Sequence, residues 1–113
     1  MHELSIVEAI VDTAIPIAKE NNAKKILKIY LKVGELSGIV ESCVKEYFKE
    51  VSKGTIAEDG EIIVEVEPVK IKCLDCGYIG NSVKPHGMCP KCHKENINVI
   101  SGNDYYIDHL EVE

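Results

Sequence analysis

Two Cys-x-x-Cys pairs, Cys73–Cys76 and Cys89–Cys92, stand twelve residues apart in the stretch CLDCGYIGNSVKPHGMCPKC. No other feature limits the possible folds so tightly. Each pair closes a tight turn that aims two sulfurs at one point. Four thiolates so spaced make a tetrahedral metal site, and zinc is the default occupant. Gly77, directly after the first pair, supplies the backbone freedom such a turn needs.

Other uses of cysteine fit less well. Thioredoxin-like redox chemistry places one pair at the start of a helix that follows a strand, whereas both pairs here lie in loops punctuated by Gly and Pro. Disulfides are disfavoured by an odd count, since Cys43 makes five, and by the lack of an export signal. Iron is the closer competitor, because CLDCGY and CPKC resemble rubredoxin knuckles. Colour separates the two metals: ferric iron held by four thiolates absorbs visible light and zinc does not.

A chain of 113 residues, 45% hydrophobic, supports one ordinary core and a small appendage, not two large domains. The appendage around the cysteines is too short to bury much apolar surface. A structural zinc supplies the missing stability, on the order of 10–16 kcal/mol. The formal charge of −6, with thirteen lysines and no arginine, repels nucleic acid and removes the residue most used to read it. No basic lead-in precedes Glu3, Glu8 and Asp12, and no apolar run reaches membrane-spanning length, so a soluble, cytoplasmic protein that contacts neither membrane nor nucleic acid is expected.

Leu4, Val7, Ile10, Val11, Ala14, Ile15 and Ala18 recur at three- and four-residue steps, which predicts a helix with one buried stripe, kinked or broken at Pro16 and ended at Asn21–Asn22. From Ile26 to Val33 the period becomes two, with Leu27, Ile29, Leu31 and Val33 on one face of a strand. Glu35–Gly38 turns into a second helix that stacks Val40, Cys43, Val44, Tyr47, Phe48 and Val51, making Cys43 core filler rather than a ligand. After a loop, Ile62, Val64 and Val66 alternate with glutamates until Pro68 ends the strand. Val69 and Ile71 enter the first cysteine pair while Ile97 and Val99 leave the second, so a two-stranded stem carries the knuckles. Tyr105–Glu113 reads as a last strand whose register slips near Asp108 and His109. The order predicts an α+β fold. A mixed three-stranded sheet bears two helices on one face, its first two strands parallel, and carries an inserted four-cysteine zinc-ribbon-like domain. Its expected boundaries are 1–67 and 103–113 for the α/β domain and 68–102 for the zinc domain.

Met1-His2-Glu3 is the second stretch with metal chemistry in it. A free amine, the amide nitrogen of residue two and the His2 imidazole Nδ1 close five- and six-membered chelate rings, an arrangement suited to Ni(II) or Cu(II) rather than tetrahedral zinc. Glu3 is also a first-turn acid of the kind a helix dipole favours. Of the remaining histidines, His93 follows the last thiolate, His86 sits in a Pro-His-Gly loop read as surface, and nothing in the sequence gives His109 a partner.

With these residues in hand, the chain resembles the HypA/HybF family of hydrogenase maturation factors. The likeness runs through MHELSIVEAI, VGELSGI, SKGTIAEDGEI, the four cysteines, SGNDYYI and LEVE. It implies a nickel metallochaperone, not an enzyme. His2, supported by Met1 and Glu3, takes Ni(II) as cargo, while Cys73, Cys76, Cys89 and Cys92 hold structural Zn(II). It further implies two partners, a hydrogenase maturation GTPase of the HypB type and the precursor of the [NiFe]-hydrogenase large subunit. A monomer or weak homodimer is expected. Some members carry histidines beside both cysteine pairs; here Gly77 and Tyr78 follow the first and only His93 follows the second. The competing reading is a zinc-ribbon interaction module presenting Lys70, Lys72, Lys91 and Lys94 to a protein or nucleic acid.

Overall fold

The apolar stripe of the first segment forms a helix, α1 (Glu3–Glu20), which buries Ile6, Val7, Ile10, Val11, Ala14 and Ala18; Leu4, placed on that stripe by the periodicity, is exposed, and Ile6 is buried instead. The computed structural model describes residues 3–80 and 88–113. Of the kink or break expected at Pro16, the break does not occur: α1 continues through it. Pro16 and Asp12, whose carbonyl loses its helical partner, are both exposed, so water can satisfy that oxygen while Ala14 and Ala18 keep the buried stripe in phase. The end at Asn21–Asn22 is a Schellman motif. Asn22 takes a φ of 58°, and the Ala23 and Asn22 N–H groups donate to the carbonyls of Ala18 and Lys19.

Strand β1 (Ile26–Gly34) puts Ile29, Leu31 and Val33 in the interior. Leu27 departs from the expected alternation: it is exposed and Ile26 is buried instead, its N–H held by the Ile56 carbonyl. The second helix, α2 (Glu41–Val51), packs on α1 and buries Val44 and Phe48. Tyr47, placed by periodicity on that stripe, stays exposed because an 11-residue helix buries only a narrow line, and Val40, also placed there, precedes the helix in extended conformation and is exposed. Strand β2 (Glu61–Glu67) follows and stops before Pro68.

Strand β1 is central, in the order β2-β1-β6, where β6 is Tyr105–Val112. Directions follow from the hydrogen bonds. The Ile26 N–H, at the start of β1, donates to Ile56 just ahead of β2, and the Glu35 N–H, past its end, donates to Glu67 at the end of β2, so these strands run parallel. Glu113 exchanges hydrogen bonds with Lys24 and Lys25, whereas Gly34 donates to Asp104, so β6 is antiparallel. The sheet is therefore mixed, with both helices on one face, as the sequence implied. On the β1 residues of opposite phase lie half-buried Lys28, Tyr30 and Lys32. The His109 ring, for which the sequence offered no partner, stacks on Tyr30 with centroids 4.0 Å apart and its Nδ1 lies 2.9 Å from Asp108.

The second sheet has three strands where two were expected. Strand β3 (Lys70–Cys73) pairs antiparallel with both β4 (Ile79–Gly80) and β5 (Ile97–Ser101), in the order β4-β3-β5. By contacts the chain divides into two units. One comprises Met1–Lys32, Ile39–Glu65 and Tyr106–Glu113; the other comprises Val33–Gly38 and Val66–Tyr105. Within the smaller unit Gly34 is fixed by crowding, because a Cβ there would collide with the Gly102 carbonyl. Gly102 itself adopts φ of 87°. The Leu36 N–H donates to the Gly102 carbonyl, and the Val69 N–H donates to the Glu35 carboxylate at 3.2 Å.

Candidate metal centre

The two cysteine pairs fold into the same backbone figure twice. In the first, the Gly77 N–H donates to the Cys73 carbonyl at 3.0 Å and the Cys73 N–H donates to the Tyr78 carbonyl at 2.8 Å. In the second, the His93 N–H donates to the Cys89 carbonyl and the Cys89 N–H to the Lys94 carbonyl, both at 2.9 Å. Gly77 and His93 occupy equivalent places, with φ of 78° and 63°. The first knuckle thus uses the residue that tolerates a left-handed backbone, and the second forces a histidine into it at a cost of about 1 kcal/mol. The carbonyls of Tyr78 and Lys94, which close the knuckles, have no side-chain signature and could not be read from the sequence.

This repetition brings four sulfurs together. The Sγ atoms of Cys73, Cys76, Cys89 and Cys92 all lie within 4.8 Å of one another, with Cys73 and Cys92 3.6 Å apart and Cys76 and Cys89 3.7 Å apart. Sulfurs placed tetrahedrally at about 2.3 Å from one ion stand about 3.8 Å from each other, so the cluster fits a four-coordinate metal. Cys73 and Cys89 are buried, Cys92 half-buried and Cys76 exposed. Cys43 stands apart, half-buried on α2 and outside the cluster.

Electrostatics favour a bound cation. Burial pushes the Cys89 thiol up, but the Cys92 and Lys91 N–H groups, each 3.4 Å from its sulfur, and the neighbouring thiols outweigh that and hold it at about 7. The Lys94 N–H pulls Cys92 down, yet burial and the other three sulfurs push it up to about 12. Cys73 is lowered, chiefly by the Cys76 N–H. Cys76 is raised: the Tyr78 N–H lowers it, but burial together with Cys73 and Cys89 prevails. Four thiolates this close repel one another, and only a cation between them lets all four ionise.

Met1 and His2, the other expected ligand-bearing stretch, lie outside the described residues, as does His86. Glu3 is described. Its carboxylate accepts the Val40 N–H at 3.3 Å, and Val40 is the N-cap residue of α2, which no side chain of its own caps. Glu3 therefore ties the first turn of α1 to the positive end of α2.

Comparison with known proteins agrees with this architecture. A family model described as "Hydrogenase/urease nickel incorporation, metallochaperone, hypA" matches residues 1–112. Hydrogenase maturation factor HypA of Aquifex aeolicus is 39% identical over 113 residues, covering 100% of this chain and 98% of the relative. Hydrogenase maturation factor HybF of Escherichia coli is 30% identical, covering 100% of both. Among solved structures, the solution structure of the Ni metallochaperone HypA from Helicobacter pylori superimposes with a TM-score of 0.76 at 28% identity, covering 99% of this chain and 97% of that one. A second solution structure of a HypA protein gives 0.80, also at 28%, covering 100% and 97%. Matched from end to end in sequence and in fold, with the four cysteines clustered, the chain belongs to the HypA family of nickel-incorporation metallochaperones.

Proposed function

We infer that this protein binds Ni(II) at its amino terminus and hands it over for the maturation of [NiFe]-hydrogenase, while its four cysteines hold a structural Zn(II). The observation that carries the reading is the match of a nickel-incorporation family across residues 1–112 in a chain that opens Met1-His2-Glu3. Nickel is cargo. A carrier must hold it selectively yet release it, and a terminal chelate built from the amine, a backbone amide and the His2 imidazole, with few side-chain ligands, suits that need. The bond from Glu3 to Val40 supports the chelate by steadying the turn that follows it.

Zinc is assigned to the cysteines because four sulfurs fill a tetrahedral ion's coordination. When bound, it braces the fold and offers no open position for water, in keeping with a carrier rather than an enzyme. In this reading residues 1–67 and 103–113 form the nickel domain and 68–102 the zinc domain. The protein works in the cytoplasm with a GTPase of the HypB type and the hydrogenase large-subunit precursor; the family description extends the same delivery to urease.

Calorimetric titration of Ni(II) into untagged, zinc-loaded protein tests the assignment. His2→Ala, or an extension that blocks the terminal amine, is expected to abolish stoichiometric binding with zinc content unchanged. The affinity should fall as pH drops through the ordinary ranges of the α-amine, about 7.7–8.0, and of imidazole, about 6.5, because protons compete for the same nitrogens. A His2→Ala variant that binds nickel like the parent contradicts the reading, and so does a pH-independent affinity.

A further inference from the structure

The outward face of the β4-β3-β5 sheet sets an exposed isoleucine beside lysine and asparagine. Along β3, Ile71 and Cys73 are fully buried while Lys70 and Lys72 point to solvent. Lys72 is paired with Ile79 on β4 and with Asn98 on β5, so these three side chains form one row across the outward face. An antiparallel sheet covered on one side normally turns polar residues outward. Here Ile79 is 58% exposed, more than any other large apolar side chain among the described residues. Ile100, 51% exposed, sits beside the row where the register slips between Lys70 and Ile71. In a chain of net charge −6, the three strands KIKC, IG and INVIS hold two charges, both lysine, and no carboxylate.

We propose that this face docks an acidic amphipathic helix of a partner protein. Charge complementarity selects an acidic occupant, and the flanking isoleucine selects one that also carries apolar side chains. The dimensions agree. The row spans two strand spacings, about 10 Å, and residues i and i+7 of a helix are about 10.5 Å apart. A helix lying across the strands sets a leucine on Ile79, a glutamate from position i+3 or i+4 over Lys72, and a second leucine near Asn98 and Ile100. Nucleic acid fits poorly, since the strands offer neither arginine nor an aromatic ring on which a base stacks.

The test uses the zinc-loaded, isotope-labelled full chain and, as probe, a synthetic alanine-based helix of about four turns bearing leucines at i and i+7 and glutamates at i+3 and i+4. Its titration is expected to shift the amide resonances of Lys72, Ile79 and Asn98. Binding should weaken with added salt and fall about tenfold or more in Lys72→Glu and in Ile79→Ser, with zinc content unchanged. The proposal is overturned if the row does not respond, if both variants bind like the parent, or if a single-stranded oligonucleotide occupies the row more tightly. It is equally overturned if the parent sediments as a dimer and Ile79→Ser as a monomer, since the face would then belong to a second copy. No nickel is added, so failure here leaves the nickel reading untouched.

Discussion

The two units of this chain solve the same stability problem by different means. The larger buries Ile6, Val7, Ile10, Val11, Ile26, Ile29, Leu31, Val44, Phe48 and Ile62, an ordinary apolar core that needs no cofactor. Among its described residues the smaller buries Val33, Val69 and Ile71, and the remaining buried apolar side chains there are Cys73 and Cys89, which are metal-site sulfurs. Where apolar area runs short, coordination substitutes for it. One unit can therefore be weakened by trimming its side chains, and the other by taking away an ion.

The largest expected effect breaks the comparison at the metal. Chelation under reducing conditions, or Cys89→Ala, removes a term on the order of 10–16 kcal/mol for a structural zinc. Amide exchange should then become fast across β3, β4 and β5 while α1 and β1 stay protected; uniform loss of protection would mean the units are not energetically distinct. Ile10→Ala is the mirror experiment. Removing a side chain only 2% exposed is expected to cost about 2–5 kcal/mol, lowering the thermal midpoint of the helical unit without releasing zinc.

Gly34→Ala comes next. Its Cβ would meet the Gly102 carbonyl and lie 2.7 Å from the Asp104 oxygen, both backbone, so the collision cannot be relieved by a rotamer. A loss of about 1–3 kcal/mol is expected, seen as earlier chelator-induced unfolding of the smaller unit. The smallest effect has the opposite sign. His93→Gly removes a non-glycine residue from a φ of 63° and should leave zinc affinity unchanged or raise it by up to about fivefold in a competition titration. A large loss of zinc would show that the imidazole, not just the backbone, serves the site.

Proton competition acts on the sulfur site as well. With Cys89 held at about 7 and Cys92 pushed up to about 12, loading the four-cysteine cluster must release protons. Zinc affinity should therefore fall as pH falls, which competition with a chelator at fixed free metal would record.

What was legible in the sequence was whatever a periodicity or a spacing encodes. The stripe of α1, the alternation of Ile29, Leu31 and Val33, and the four cysteines all survive in the structure because each is a repeated demand that burial or coordination enforces. The stem of β3 and β5 was readable from the apolar residues entering and leaving the knuckles. What escaped depends on pairs distant in the chain. The Gly34–Gly102 approach is a matter of backbone crowding. The stacking of His109 on Tyr30 follows from the register between β1 and β6, which no local pattern fixes. Strand β4 has two described residues, too few for any alternation. Pro16 does not break α1 because the carbonyl it orphans lies on the exposed side, where water can satisfy it.

The most direct test of the account is a metal count on one preparation of untagged protein, parent beside His2→Ala, each saturated with Ni(II) and freed of excess by a weak chelator. The account predicts one nickel and one zinc per chain in the parent, and zinc alone in the variant, with the zinc protein colourless. Equal nickel in both, or nickel lost only when a cysteine of the cluster is replaced, would place the cargo in the sulfur site and contradict it.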